Sequence, residues 1–186
     1  MNPPDYSLWL LPAPGPARDL LRHYVMALRT AVPGAAPLDP HLTLVPSLGF
    51  DRRRAIARAR RVAVAIAGGR VPVRRCATVA GVATGAHRYQ SIMAGIACEP
   101  WLKALNRFAV QTDPSPSRAY YPHISLLYAD LDATRIVELA GGLGPLLRRV
   151  PLGHLVVSRV CTDIERRHCI WSWPLPSPGH PMSPIP

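Results

Sequence analysis

The chain predicts an α+β fold of two lobes, with pseudo-symmetric, mostly antiparallel sheets around a central cleft and helices on the outside. Two matched apolar runs carry much of that expectation, Pro40-His-Leu-Thr-Leu-Val45 and Pro122-His-Ile-Ser-Leu-Leu127. Each is short, follows a proline and reads as a buried strand. The same order of elements also precedes and follows each run: strand, helix, histidine strand, helix. Finally, 186 residues of which 48% are apolar suffice for one domain, or two small lobes sharing a core. The expected boundaries are one two-lobed domain over residues 1–173 and a disordered, Pro-rich tail over 174–186.

The elements follow in chain order. Tyr6-Ser-Leu-Trp-Leu-Leu11 reads as the first strand, and Pro12 to Pro16 turns the chain. Leu20, Leu21, Tyr24, Val25 and Leu28 make one stripe on a helix from Ala17 to about Thr30. The first histidine strand follows after a loop. Asp51 caps a helix from Arg52 to about Ala67, which Gly68-Gly69 closes. Val71–Thr84 and Tyr89–Cys98 read as two strands around Gly85-Ala86-His87. Pro100 opens a helix carrying Trp101, Leu102, Leu105, Phe108 and Ala109. The second histidine strand runs from Tyr121 to Tyr128. Asp132 caps a helix with Ile136, Val137, Leu139 and Ala140 facing inward, and Gly141-Gly142 ends it. Leu155–Cys161 and Cys169–Trp173 close the domain as a hairpin around Asp163–Arg167.

Charge narrows the class of ligand. There are 22 Lys+Arg against 11 Asp+Glu, a net charge of +11, and Lys103 is the single lysine. Arginine grips phosphate bidentately, so an anionic ligand is favoured, although a solvated basic surface has the same composition. Arg52, Arg53, Arg54, Arg58, Arg60 and Arg61 form such a surface on one helix. Cys76, Cys98, Cys161 and Cys169 show no metal-ligand spacing, so free thiols are expected and no metal site. No apolar leader and no run of about 18 apolar residues is present, so the expectation is a cytoplasmic protein with no membrane contact.

The two histidine runs carry the chemistry. Side chains alternate along a strand, so His41 and Thr43 share a face, as do His123 and Ser125. Two imidazoles, each with a neighbouring hydroxyl, suit general acid/base work on a phosphate. A single strand histidine after a proline is more often a satisfied core residue; the matched pair shifts the balance to function. The five other histidines, His23, His87, His154, His168 and His180, have no such match. Trp9, Trp101, Trp171 and Trp173 read as core. Arg118 reads equally as a phosphate grip or a loop residue. Tyr128 lies an odd number of positions past His123 and so faces away from it, unless the strand bends or ends near Leu127.

These motifs resemble the 2H phosphoesterase superfamily, named for its paired His-x-Thr/Ser motifs, and within it the plant and fungal cyclic phosphodiesterases. Tyr6–Pro12 resembles the opening strand of that family and Asp39–Val45 its first motif. Tyr121–Asp130 is similar to its second motif, Tyr89-Gln90 to its central strand and Val156–Cys161 to its closing strand. The chain departs from the family at His87-Arg88, where relatives tend to carry aromatic residues, and at Pro46-Ser47.

The resemblance implies a metal-independent phosphodiesterase without a cofactor, acting as a monomer on a small cyclic phosphate nucleotide. It would open ADP-ribose 1″,2″-cyclic phosphate to ADP-ribose 1″-phosphate, downstream of tRNA splicing, or a nucleoside 2′,3′-cyclic phosphate to the 2′-phosphate. His41 and His123 would be the catalytic acid and base, in an order the residues leave open. Thr43 and Ser125 would donate to the phosphoryl oxygens, and Tyr128, Tyr89 and Gln90 would bind substrate. Two alternatives stand beside this. One is an enzyme acting on RNA ends or 2′–5′-linked oligonucleotides, to which the arginine-rich helix adds weight. The other is a non-catalytic module binding cyclic phosphate nucleotides, which loss of one histidine would mark; both are present.

Overall fold

The computed structural model describes residues 5–49, 51–85, 87–111, 120–160 and 168–176. The strands are β1 (Asp5–Pro12), β2 (Leu42–Val45), β3 (Cys76–Thr84), β4 (Ile92–Ile96), β5 (His123–Leu127), β6 (Arg149–Val160) and β7 (His168–Pro174). The helices are α1 (Pro16–Ala31), α2 (Arg52–Ala67), α3 (Pro100–Val110) and α4 (Ala133–Gly141). The order therefore repeats as β-α-β-α-β twice, β1-α1-β2-α2-β3 and β4-α3-β5-α4-β6, with β7 added at the end.

All the pairings among these strands are antiparallel. The sheet order is β1-β2-β5-β4-β3-β6-β7, and β1 also pairs with β6. One lobe is β2-β1-β6-β7 and the other is β5-β4-β3. They meet at two narrow junctions. Leu42 of β2 pairs with Ile124 of β5, and Cys76–Thr78 of β3 pair with Arg149–Pro151 of β6. The lobes exchange their last strands: β3 joins the second half's sheet and β6 joins the first half's. This swap, together with the α1 and α3 connections, puts the two histidine strands side by side at the centre.

The helices form where their sequence signals lie. Pro16 opens α1, and Leu21, Tyr24, Val25 and Leu28 bury its one apolar face. Asp51 Oδ1 accepts the N–H groups of Arg53 and Arg54 at 2.8 and 3.1 Å, capping α2. The buried face of α2 is largely alanine (Ala55, Ala59, Ala63, Ala65), which lets the helix lie close against its neighbours. Asp132 caps α4 through the Arg135 N–H at 2.8 Å. None of these helices is long and apolar enough to cross a membrane.

Several expected boundaries move. The run Val71–Thr84 becomes strand only from Cys76. Val71 is buried, but its N–H returns to Ala65 O at 3.2 Å, finishing the end of α2 instead of joining a ladder, and Pro72 has no N–H to offer. Tyr89 and Gln90 are not in the central strand; they lie in a 3-10 turn, Arg88–Gln90, before β4. There the His87 ring accepts the Tyr89 N–H at 3.3 Å and the His87 carbonyl accepts the Gln90 N–H at 2.7 Å. Val137 points outward, 64% exposed; Ile136 is the buried residue of α4, and Leu139 and Ala140 pack against the core at part burial.

The closing strand also runs past Trp173. β7 includes Pro174, Leu175 is 3% exposed, and the Leu175 N–H donates to Gly153 O at 2.9 Å. The expected disordered tail therefore does not begin at 174: Pro174 ends β7 and Leu175 is buried. The Asp163–Arg167 turn, Cys161, Arg118 and the chain beyond residue 176 lie outside the described residues.

Candidate active site

The two motifs sit in equivalent places. His41 directly precedes β2 and His123 begins β5. Leu42 and Ile124, between each histidine and its hydroxyl residue, are fully buried and pair with each other. His41, Thr43, His123 and Ser125 therefore lie on the opposite face. In a regular antiparallel ladder, one step either side of that pair sets His41 opposite Ser125 and Thr43 opposite His123. The histidines are then diagonal neighbours, about 7–8 Å apart or slightly less at Cβ.

Each imidazole is anchored the same way. His41 Nδ1 lies 2.7 Å from Asp39 O, and His123 Nδ1 lies 2.9 Å from Tyr121 O. A carbonyl only accepts, so Nδ1 of both rings carries hydrogen, and Nε2 is in each the nitrogen turned away from the anchoring carbonyl. The anchor of His41 is itself held, since Arg18 and Arg22 of α1 each bond the Asp39 carboxylate at 2.9 Å.

The surroundings of the rings differ. His41 is buried and stacks on Trp9, with ring centroids 3.7 Å apart and planes 19° from parallel. Trp9 pairs with Thr43 across β1 and β2, and so shares the site face while Leu8 and Leu10 fill the core. It belongs to the site and not to the core; its half-burial between two fully buried leucines is the period-2 pattern that marks it. His123 is half-buried, and burial pushes its pKa below the ordinary histidine value, the Tyr121 carbonyl partly opposing this. Tyr121 is exposed beside the His123 ring, at 5.9 Å between centroids.

The hydroxyls are unequal too. Thr43 is half-buried, and its carbonyl accepts the Tyr120 hydroxyl at 3.3 Å, while Asn106 of α3 donates to Leu44 O at 2.7 Å. These bonds fasten β2 to the other lobe. Ser125 is buried and donates to Tyr89 O at 3.2 Å. Tyr89 in turn meets the edge of Tyr128, at 5.4 Å and 86°, and His87, at 5.4 Å. Tyr128 reaches this cluster because β5 ends at Leu127. Ser91 Oγ, 2.7 Å from Ala129 O and accepting the Ala129 N–H at 3.3 Å, draws the chain out of the ladder there. Gln90 closes the same turn. Arg88 pairs with Asp130 at 2.8 Å.

The profile of cyclic phosphodiesterase-like proteins matches residues 5–147, most of the chain and both motifs. The chain belongs to that family. Its place among the 2H phosphoesterases agrees with the fold. E. coli LigT in apo form is 16% identical, with 95% of this chain and 100% of that chain covered, at a TM-score of 0.59. A second solved structure, described as a phosphoesterase, is 18% identical, with 94% and 100% covered, at 0.57. E. coli LigT complexed with 3′-AMP is 18% identical, with 95% and 100% covered, also at 0.57. At these identities the likeness is one of fold. Comparison with curated protein sequences found no match. Among the described residues no three His, Cys, Asp or Glu side chains gather as a metal site would require.

Proposed function

We propose that the chain is a metal-independent phosphodiesterase that opens ribose cyclic phosphates, with His41 and His123 as its acid/base pair. The observation that best supports this is the shared anchoring of the two rings, each held through Nδ1 by the carbonyl two residues upstream on adjoining strands. Ring opening needs a base to take a proton from water and an acid to give one to the departing ribose oxygen. We assign the base's role to His123, whose neutral form burial favours, and so the acid's role to His41. Thr43 and Ser125 donate to the non-bridging oxygens as charge builds on them; Ser125 must turn its hydroxyl away from Tyr89 O to do so. Tyr89, Gln90 and Tyr128 wall the Ser125 side. That relatives of this fold are recorded with phosphate and with 3′-AMP supports a small nucleotide as ligand.

Products should be assayed on ADP-ribose 1″,2″-cyclic phosphate, the four nucleoside 2′,3′-cyclic phosphates and a 2′–5′ oligoadenylate. Turnover of the cyclic phosphates is expected to persist in EDTA. Abolition by the chelator with rescue by a divalent ion would refute the metal-free mechanism. One observation favours RNA ends as a second reading: Arg53, Arg54, Arg60 and Arg61 all face solvent on α2. A polymer held there would show a steep dependence on salt, and a small cyclic nucleotide would not.

The pH profile tests the assigned roles. A base must be unprotonated, so kcat/KM rises with pH through the His123 pKa. Because burial lowers that pKa, the acid limb is expected to lie below the ordinary histidine value. An acid limb at or above that value would remove the ground for placing the base at His123. Thr43→Ala and Ser125→Ala are each expected to lower kcat/KM about 10-fold, one donor being lost while the histidines remain. Wild-type rates for both would return these hydroxyls to ordinary strand residues.

A further inference from the structure

We propose that Tyr121 is a stacking platform for a nucleobase, and that it biases the site toward nucleoside 2′,3′-cyclic phosphates over cyclic phosphates on a base-free ribose. This rests on the proposed cyclic-phosphate reading and names the substrate class within it. Tyr121 precedes His123 by two residues. Between them the Pro122 carbonyl accepts the Ile96 N–H at 3.0 Å, so the extended pairing to β4 continues and Tyr121 keeps the face of His123. Its side chain is 56% exposed, and its ring lies 5.9 Å from the His123 ring at 33°.

The floor below Tyr121 is mostly backbone, with one alanine methyl. Gly95 pairs with His123 on one side and with Gly81 on the other. A Cβ placed on Gly95 would lie 3.4 Å from Gly81 O, 3.8 Å from the Ala83 Cβ and 3.9 Å from the Tyr121 hydroxyl. An exposed aromatic ring thus stands beside His123, over two glycines and an alanine methyl, a surface with no bulky side chain to obstruct a flat ligand. Stacking on such a ring tolerates any base, because every base has a π-face.

Substrate geometry then separates the candidates. In a nucleoside 2′,3′-cyclic phosphate the base is on C1′, next to the carbon that bears the phosphate. It lies a single ribose from the reacting phosphorus, within range of an aromatic neighbour of His123. In ADP-ribose 1″,2″-cyclic phosphate, C1″ carries a phosphate oxygen in place of a base, and the adenine lies beyond a diphosphate. Tyr121 recognises the first and has nothing to stack on in the reacting ribose of the second.

The test compares kcat/KM for adenosine 2′,3′-cyclic phosphate with that for 1-O-methylribose 2,3-cyclic phosphate, in wild type, Tyr121→Leu and Tyr121→Phe. The ratio is expected to fall about 10-fold or more in the leucine variant, through KM, and to stay high in the phenylalanine variant. An unchanged ratio, or equal losses on both substrates, would overturn the platform. Equal losses would mean that the ring only supports His123. If wild type hydrolyses neither substrate, the cyclic-phosphate reading fails by itself, and binding of adenosine 2′-phosphate decides the platform. A dissociation constant about 10-fold weaker in Tyr121→Leu supports it; equal affinity, or no binding to wild type, sinks it.

Discussion

His41→Ala and His123→Ala should each lower kcat on a ribose cyclic phosphate by about 10²-fold or more, the usual contribution of a positioned acid or base. The double variant is expected to be little worse than either single one. An acid and a base that serve one step act as a unit, and removing either already removes concerted proton transfer. Losses that multiply would mean that the two rings serve separate steps. His41 is buried against Trp9 and His123 half-buried, so each variant needs a circular dichroism spectrum and a melting curve to establish that the fold survives. Loss of activity in a folded protein is the informative outcome.

Shortening the chain should show a sharp boundary at Leu175. A chain ending at residue 176 is expected to melt and turn over like the full chain, because it keeps β7 and Leu175. One ending at residue 169 loses most of β7, including Trp171, Trp173 and Leu175. Trp173 and Leu175 are fully buried, and removing one large core side chain costs about 3–5 kcal/mol. Set against a typical domain stability of about 5–15 kcal/mol, the loss of two with their strand is enough to unfold the domain. Thermal unfolding of the two chains checks this. A chain ending at 169 that melts like the full one would place the closing strand outside the core, and inactivity of the longer one would give residues after 176 a role in turnover.

Much of this was legible beforehand because it depends on local rules. Asp51 and Asp132 cap helices by bonds to N–H groups two or three residues on. Pro16 and Pro100 open helices because their missing N–H is not needed there. The alternation around Leu42 and Ile124 assigns His41, Thr43, His123 and Ser125 to one face by strand geometry alone. Where strand patterning did not decide the outcome, specific hydrogen bonds did, one set local and one long-range. Tyr89 and Gln90 left the strand for a turn closed by His87, and Ser91 bonds Ala129, 38 residues away, ending β5 so that Tyr128 meets Tyr89.

The sequence by itself determined the element types, the two matched motifs and the residues able to do acid/base chemistry, since these follow from side-chain type and from periods of two and 3.6. Only the tertiary structure decided what those residues face. Strand exchange between the halves brought β2 beside β5 through Leu42 and Ile124. Trp9, which composition assigns to the core, lies under His41 because β1 is the strand that pairs with β2. Burial of His123 and the Gly95–Gly81 pair beside it likewise depend on which strands pair. Spacing along a chain sets which side chains share a face; which faces meet is set by contacts between residues far apart in sequence, and no local pattern encodes them.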